Sequence, residues 1–250
     1  MQLLLGESSV QRRISVLNVL IDSVNMKQAL KIIEDFIAKR KPCLVATANA
    51  EMVMMAQRDT ELAKALRDAA LVVPDGAGVV WAARYQGYEM PERVAGYDLV
   101  QRLLSESAIK GYSVFLFGGA PGIAEQAGSI MKSKCPGLRI VGICDGFFSD
   151  ADEDEIIAKI KNSQSDILLV ALGVPKQEKW LSRHIHDLNV PVSIGVGGTF
   201  DVMAGAVKRA PLWMQRANLE WLFRLMSQPQ RAIRMLALPR FVLQVWSKKH

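Results

Sequence analysis

Ser113-Val114-Phe115-Leu116-Phe117-Gly118-Gly119-Ala120-Pro121-Gly122 runs straight into a helical stretch over Gly122–Lys134. Val114 to Phe117 has no polar face, so a strand built from it must be covered on both sides. The glycines and Pro121 then punctuate the chain before helical spacing begins. Ile167-Leu168-Leu169-Val170-Ala171 repeats the arrangement, followed by Gly173-Val174-Pro175 and a helix over Lys176–Asp187. Two-faced apolar strands alternating with helices predict an α/β, Rossmann-like fold, with a mostly parallel sheet and helices on both faces.

Outward from this pair the alternation continues. Strands are expected over Ile14–Ile21, Cys43–Ala48, Leu71–Val73, Arg139–Cys144 and Pro191–Val196. Helices are expected over Asn25–Arg40, Glu51–Gln57 with Asn49 as cap, from Thr60 as cap through Ala70, Ala77–Tyr85, Asp98–Ile109 and Asp152–Asn162. Residues 1–207 thus form one α/β core. After Lys208 the strand pattern stops. Pro211–Trp246 reads as two or three helices punctuated by Pro211, Pro229 and Pro239, so residues 208–250 form a helical, Trp-rich appendage.

The charge divides at the same place. The 250 residues carry a net charge of +6, with 31 Lys+Arg against 25 Asp+Glu. From Lys208 onward there are nine bases and a single acid, Glu220, which is +8 and leaves −2 for residues 1–207. Half of the residues are apolar, which excludes a disordered chain. Three scattered cysteines, Cys43, Cys135 and Cys144, suit reduced thiols in the cytoplasm. Met1–Val10 lacks the basic start of a signal peptide. The longest uncharged run, Gly111–Ala124, has 14 residues, short of the ~20 that span a bilayer.

In open α/β sheets, ligands bind beyond the carboxyl ends of the strands. Five clusters fall there: Thr47-Ala48-Asn49, Pro74-Asp75-Gly76, Gly118–Gly122, Gly173–Glu178 and Gly195–Thr199. Asp75 sits in a sharp turn, where a carboxylate can act as a base or can cap the helix from Ala77. Arg93 suits a phosphate or a surface ion pair with Glu92 or Asp98. Gly118-Gly119-x-x-Gly122 admits a phosphate at a helix start but lacks the first glycine of a dinucleotide fingerprint. His184 and His186 point apart on a helix, and the acids of Asp150–Glu155 open one, so no metal site is expected. Arg224, Arg231 and Arg234 can share a helix face with Trp and Leu. That face suits an anionic membrane surface or ordinary packing on the core, and nucleic acid less well.

Taken in order, these clusters resemble the WecG/TagA/CpsF family of bacterial glycosyltransferases. The matching pieces are Thr47–Glu51, Pro74–Gly76, Glu92–Leu99, Phe117–Gly122, Gly173–Glu178 and Gly195–Asp201, continued by Ala204-Gly205, Lys208–Pro211, Leu219–Leu225 and Pro229-x-Arg231. The resemblance covers about residues 15 to 240.

The resemblance implies an inverting, metal-independent transfer from a UDP-sugar, with no cofactor. The sugar would be N-acetylmannosamine, its uronic acid or glucose. The acceptor would be a polyprenyl-diphosphate-linked saccharide, at the inner face of the bacterial membrane, in teichoic acid or exopolysaccharide synthesis. It implies Asp75 as base, with Thr47, Arg93 and Gln177 around it. Asn49, Asp98, Gly118, Gly119, Lys176, Glu178, Gly197, Gly198 and Asp201 are expected at the substrates. Arg209, Arg216, Arg224, Arg231 and Arg234 are expected at the membrane or diphosphate. Removing Trp213–His250 is expected to abolish membrane binding and leave the core folded. A homo-oligomer is compatible with the pattern. The competing expectations are a Rossmann-type NAD(P) oxidoreductase and a non-catalytic membrane scaffold.

Overall fold

The computed structural model describes residues 12–227 and 236–248. Six strands form one parallel sheet: β3 (Cys43–Ala48), β4 (Leu71–Pro74), β5 (Ser113–Gly118), β6 (Arg139–Cys144), β7 (Ile167–Ala171) and β8 (Val192–Gly195). Their spatial order is β4-β3-β8-β7-β5-β6. All pairings within it are parallel, as expected for strands without a polar face.

The helices preceding β8 are α1 (Met26–Lys39), α2 (Ala50–Ala56), α3 (Thr60–Asp68), α4 (Ala77–Tyr85), α5 (Gly96–Lys110), α6 (Ile123–Lys134), α7 (Glu153–Asn162) and α8 (Lys176–Leu188). Alternate strand residues feed two separate cores. Val114, Leu116, Ile167 and Leu169 pack with residues of α1, α5 and α6. Phe115, Phe117, Leu168 and Val170 pack with α2, α3 and α8. Each face is therefore sealed by helices, which places the chemistry at the strand ends.

Local signals set several boundaries. Asn25 and Gln28 form a reciprocal capping box at the start of α1. Asn49 caps α2 through the Met52 N–H at 2.9 Å. The cap of α3 is Asp59, one residue before the expected Thr60, and its carboxylate accepts from the Leu62 N–H at 3.0 Å.

The expected strand over Ile14–Ile21 is instead a hairpin, β1 (Arg13–Val16) and β2 (Val19–Asp22). Leu17 and Asn18 turn the chain with φ of 49° and 67°, the left-handed pair that a two-residue hairpin needs. The hairpin covers the edge of β4. Asp22, fully buried, accepts from the Val72 N–H at 2.7 Å. Arg13 binds Asp22 at 3.1 Å and donates to the carbonyls of Ala69 and Ala70 at 2.7 and 3.0 Å.

After β8 come α9 (Thr199–Met203), α10 (Leu212–Arg216), α11 (Glu220–Ser227) and α12 (Ala237–Ser247). Pro211 is the cap of α10. Pro239 lies in the first turn of α12, where its missing N–H breaks no helical bond. Pro229 lies outside the described residues. α12 packs on α2 and α4, with Phe241 lying 3.8 Å from the space a side chain on Gly78 would take. Phe241 and Val245 are 1% and 0% exposed and belong to the same core as Phe117. The expectation that residues 213–250 can be removed without harm to the core is therefore corrected. Burial of one such side chain stabilises by about 1.5–3 kcal/mol.

Candidate active site

The carboxyl ends of β3, β4, β7 and β8 open onto one cleft of about 170 Å³. Among its lining residues are Thr47, Asn49, Asp75, Gln177, Gly197, Gly198 and Asp201 from the strand ends. Lys208 and Arg209, together with Glu220 and Phe223 of α11, close it from the other side. Pockets that take ligands of drug size usually offer ~300–1,000 Å³. As folded here, the C-terminal segment roofs the site closely.

Asp75 is placed by backbone pairing. Its N–H donates to the carbonyl of Ala48 at 2.9 Å, so the turn after β4 is tied to the end of β3. The N-cap position of α4 is Gly76, with φ of 95°, so the helix begins one residue beyond Asp75. Thr47 pairs with Val73 in the sheet, and Asp75 follows two residues later in the turn that ends β4. Between them stands Gly96. A Cβ there would lie 3.2 Å from Cγ2 of Thr47 and 3.4 Å from a carboxylate oxygen of Asp75.

Two guanidinium groups meet at Glu220 on the cleft wall; Arg209 lines the cleft itself, whereas Arg93 and Asp98 stand behind it. Arg209 clamps Asp98 with two bonds of 2.7 and 2.8 Å and reaches Glu220 at 3.4 Å. It also lies over the Tyr97 ring, 4.5 Å from its centroid. Burial works against the charge on Arg209, yet Asp98 and Glu220 hold its pKa above the ordinary value. Arg93 pairs with Glu220, and both side chains are under 20% exposed. The expected partners of Arg93 are engaged elsewhere. Glu92 accepts from the Met26 N–H at 2.6 Å, and Asp98 serves Arg209.

Gln177 and Glu178 form the wall near β8. Gln177 accepts from the Gly197 N–H at 2.9 Å and donates to Glu178 at 2.7 Å. Glu178 is fully buried behind it and is not among the residues lining the cleft. Burial pushes the Glu178 carboxyl up to about 7, against the hydrogen bond from Gln177.

Other expected residues lie apart from the cleft. Gly118 is required by packing: a Cβ there would sit 2.5 Å from the Ala171 backbone, and φ is 116°. The Gly119 N–H bonds the Ala171 carbonyl at 2.9 Å. Neither glycine lines the cleft; both are accounted for by the close approach to the end of β7. Lys176 lies 4.7 Å from the centroid of the Phe148 ring. His184 packs on Trp180 at 5.2 Å between ring centroids, whereas His186 is exposed. Arg216 is exposed on α10. The Arg224 side chain, Arg231 and Arg234 lie outside the described residues.

Sequence reasoning overlooked Glu220 and Tyr97. Glu220 carried a signal, as the lone acid among nine bases. Tyr97 lay within the matched piece Glu92–Leu99 but was not singled out.

A family model described as Glycosyl transferase WecG/TagA/CpsF family matches residues 14–250. The chain is 37% identical over 211 residues to a Bacillus subtilis (strain 168) protein named N-acetylglucosaminyldiphosphoundecaprenol N-acetyl-beta-D-mannosaminyltransferase. That alignment covers 84% of this chain and 81% of the relative. A Staphylococcus aureus (strain MW2) protein of the same name is 28% identical over 245 residues, 97% of this chain and 96% of its own.

Proposed function

The chain belongs to the WecG/TagA/CpsF family of glycosyl transferases, and from that premise we propose that it moves N-acetylmannosamine from UDP onto N-acetylglucosamine carried by a polyprenyl diphosphate. Glycosyl transfer itself follows from the family; the two substrates are the proposal. The names of the relatives support this pair over a uronic acid or glucose donor. Their β-mannosaminyl product is also what inversion of an α-linked nucleotide sugar yields.

The cleft supplies the groups that such a transfer needs. An acceptor hydroxyl attacks the anomeric carbon as the bond to the UDP oxygen breaks. Asp75 takes the hydroxyl proton as the new bond forms, because an alcohol is a weak nucleophile at neutral pH. The sugar passes through an oxocarbenium-like state, as in glycoside hydrolysis. Negative charge then gathers on the departing diphosphate. Lys208 and Arg209 line the cleft and Arg93 is tied to it through Glu220, so the chain's own charges meet it and no metal is required. Because Glu220 now holds both arginines, it must yield when the diphosphate enters.

The same proposal seats the enzyme on an anionic membrane surface at its cytoplasmic side. Among the described residues no helix is long and apolar enough to cross a membrane. The C-terminal segment nevertheless exposes Leu212, Trp213, Leu243 and Trp246, each at least 60% accessible. Arg216 and Arg240 are exposed beside them, the mixture that suits a lipid headgroup boundary.

The observation that carries the reading is the convergence of Asp75, Thr47, Gln177 and Arg209 on one cleft. The test is a screen of UDP-sugars against one N-acetylglucosaminyl lipid diphosphate, reading UDP release. UDP-N-acetylmannosamine is expected to be the efficient donor. Turnover with UDP-glucose alone would overturn the donor assignment.

A further inference from the structure

Gln177 and Glu178 occupy the first turn of α8 and are 1% and 0% exposed. Both press against Gly195, the last residue of β8. A Cβ on Gly195 would lie 2.6 Å from Nε2 of Gln177 and 2.9 Å from Oε1 of Glu178. The missing side chain of Gly195 therefore makes the space in which the two polar groups meet.

An amide has nearly the same shape when its oxygen and nitrogen are exchanged, so only its partners decide its orientation. Here two partners agree. The Gly197 N–H needs an acceptor and meets Oε1 of Gln177. Oε1 of Glu178 needs a donor and meets Nε2 of Gln177. One N–H and one lone pair of Gln177 are left over, on a side chain that lines the cleft.

Stability does not explain Glu178. Its second carboxyl oxygen is buried with no hydrogen-bond partner among the described residues. Leaving such a group unsatisfied costs stability, and an apolar residue of similar size would avoid that cost.

We propose that Glu178 is a positioning residue for the transfer: it locks the Gln177 amide so that the remaining N–H faces an oxygen of the bound sugar nucleotide. This rests on the function proposed above. The raised pKa of Glu178 is consistent with a carboxyl kept dry behind the amide.

The test compares Glu178→Leu, Glu178→Gln and Gln177→Ala in the full-length protein. Glu178→Leu is expected to lower kcat by about tenfold, the scale of one lost oriented hydrogen bond, with the acceptor KM unchanged. Its melting temperature is expected to stay level or rise, which a merely structural role would not produce. Glu178→Gln, which keeps an acceptor for Gln177, is expected to recover most of the loss. In the Gln177→Ala background, Glu178→Leu is expected to add nothing, because it acts through the amide. Wild-type kcat in Glu178→Leu, a full loss in Glu178→Gln, or an additive double variant would each overturn the proposal. No transfer by the wild-type protein from any UDP-sugar would instead overturn the functional reading beneath it.

Discussion

Glu220 sets its carboxylate against the Arg93 guanidinium, 127 residues earlier in the chain. The pair joins the C-terminal segment to the α/β core, and Arg209 and Asp98 extend it into a network of two arginines and two acids. Each member is held by at least one other, so removing one leaves a partly buried charge short of its partner.

Glu220→Gln is therefore expected to destabilise the protein by about 1–3 kcal/mol. Urea unfolding measures this, and limited proteolysis should show faster cleavage within residues 211–227. An unchanged midpoint and digest would mean that apolar contacts alone hold the segment.

Asp75→Asn keeps the shape of the side chain and removes the base. Turnover should fall by about 10²–10⁴-fold while the protein still binds UDP. Isothermal titration with UDP beside a transfer assay separates the two effects. Turnover within a factor of two of wild type would remove Asp75 from the base role.

Gly96→Ala is expected to separate activity from stability. The added methyl would lie 3.2 Å from Thr47 and 3.4 Å from the Asp75 carboxylate. It also stands in the first turn of α5, where alanine favours the helix by up to about 1 kcal/mol. Activity should drop while the melting temperature holds or rises. Loss of both would indicate a disturbed fold rather than a disturbed site.

The Glu178 carboxyl titrates near 7 in the fold against an ordinary value of 4.5. Between these values the folded state holds a proton that the unfolded state has released, so stability falls as pH rises through the window. The full difference corresponds to about 3 kcal/mol. Glu178→Gln lacks this dependence. Unfolding free energies at pH 5 and pH 8 should show the variant gaining on the wild type at the higher pH. A constant difference would place the ionisation outside this window.

Membrane contact is best probed by point changes, because truncation removes Phe241 and Val245 from the core. Leu243→Glu with Trp246→Glu alters side chains that are 62% and 60% exposed. Sedimentation with phosphatidylglycerol vesicles should weaken without a fall in melting temperature. Undiminished binding would move the contact to another face.

The parallel sheet was legible because an uncharged strand such as Val114–Phe117 has no choice of environment. The strand-end position of Thr47, Asp75 and Gln177 followed from the same alternation. Two features were illegible for physical reasons. Leu17 and Asn18 adopt left-handed backbone without a glycine to announce it, which hid the hairpin. The burial of Phe241 depends on α2 and α4, roughly 160 to 190 residues earlier in the chain, and a local pattern cannot report that. The glycines at Gly118 and Gly119 looked like a phosphate loop because close strand packing and anion binding call for the same residue.

The capping of β4 by the β1–β2 hairpin bears on how copies of this chain could assemble. Asp22 and Arg13 already engage backbone groups along that border of the sheet. At the opposite border, β6 pairs with β5 alone among the described strands. A sheet with one open border can join one partner sheet and then has no border left. Growth through strands would stop at a closed pair and could not propagate into a fibre.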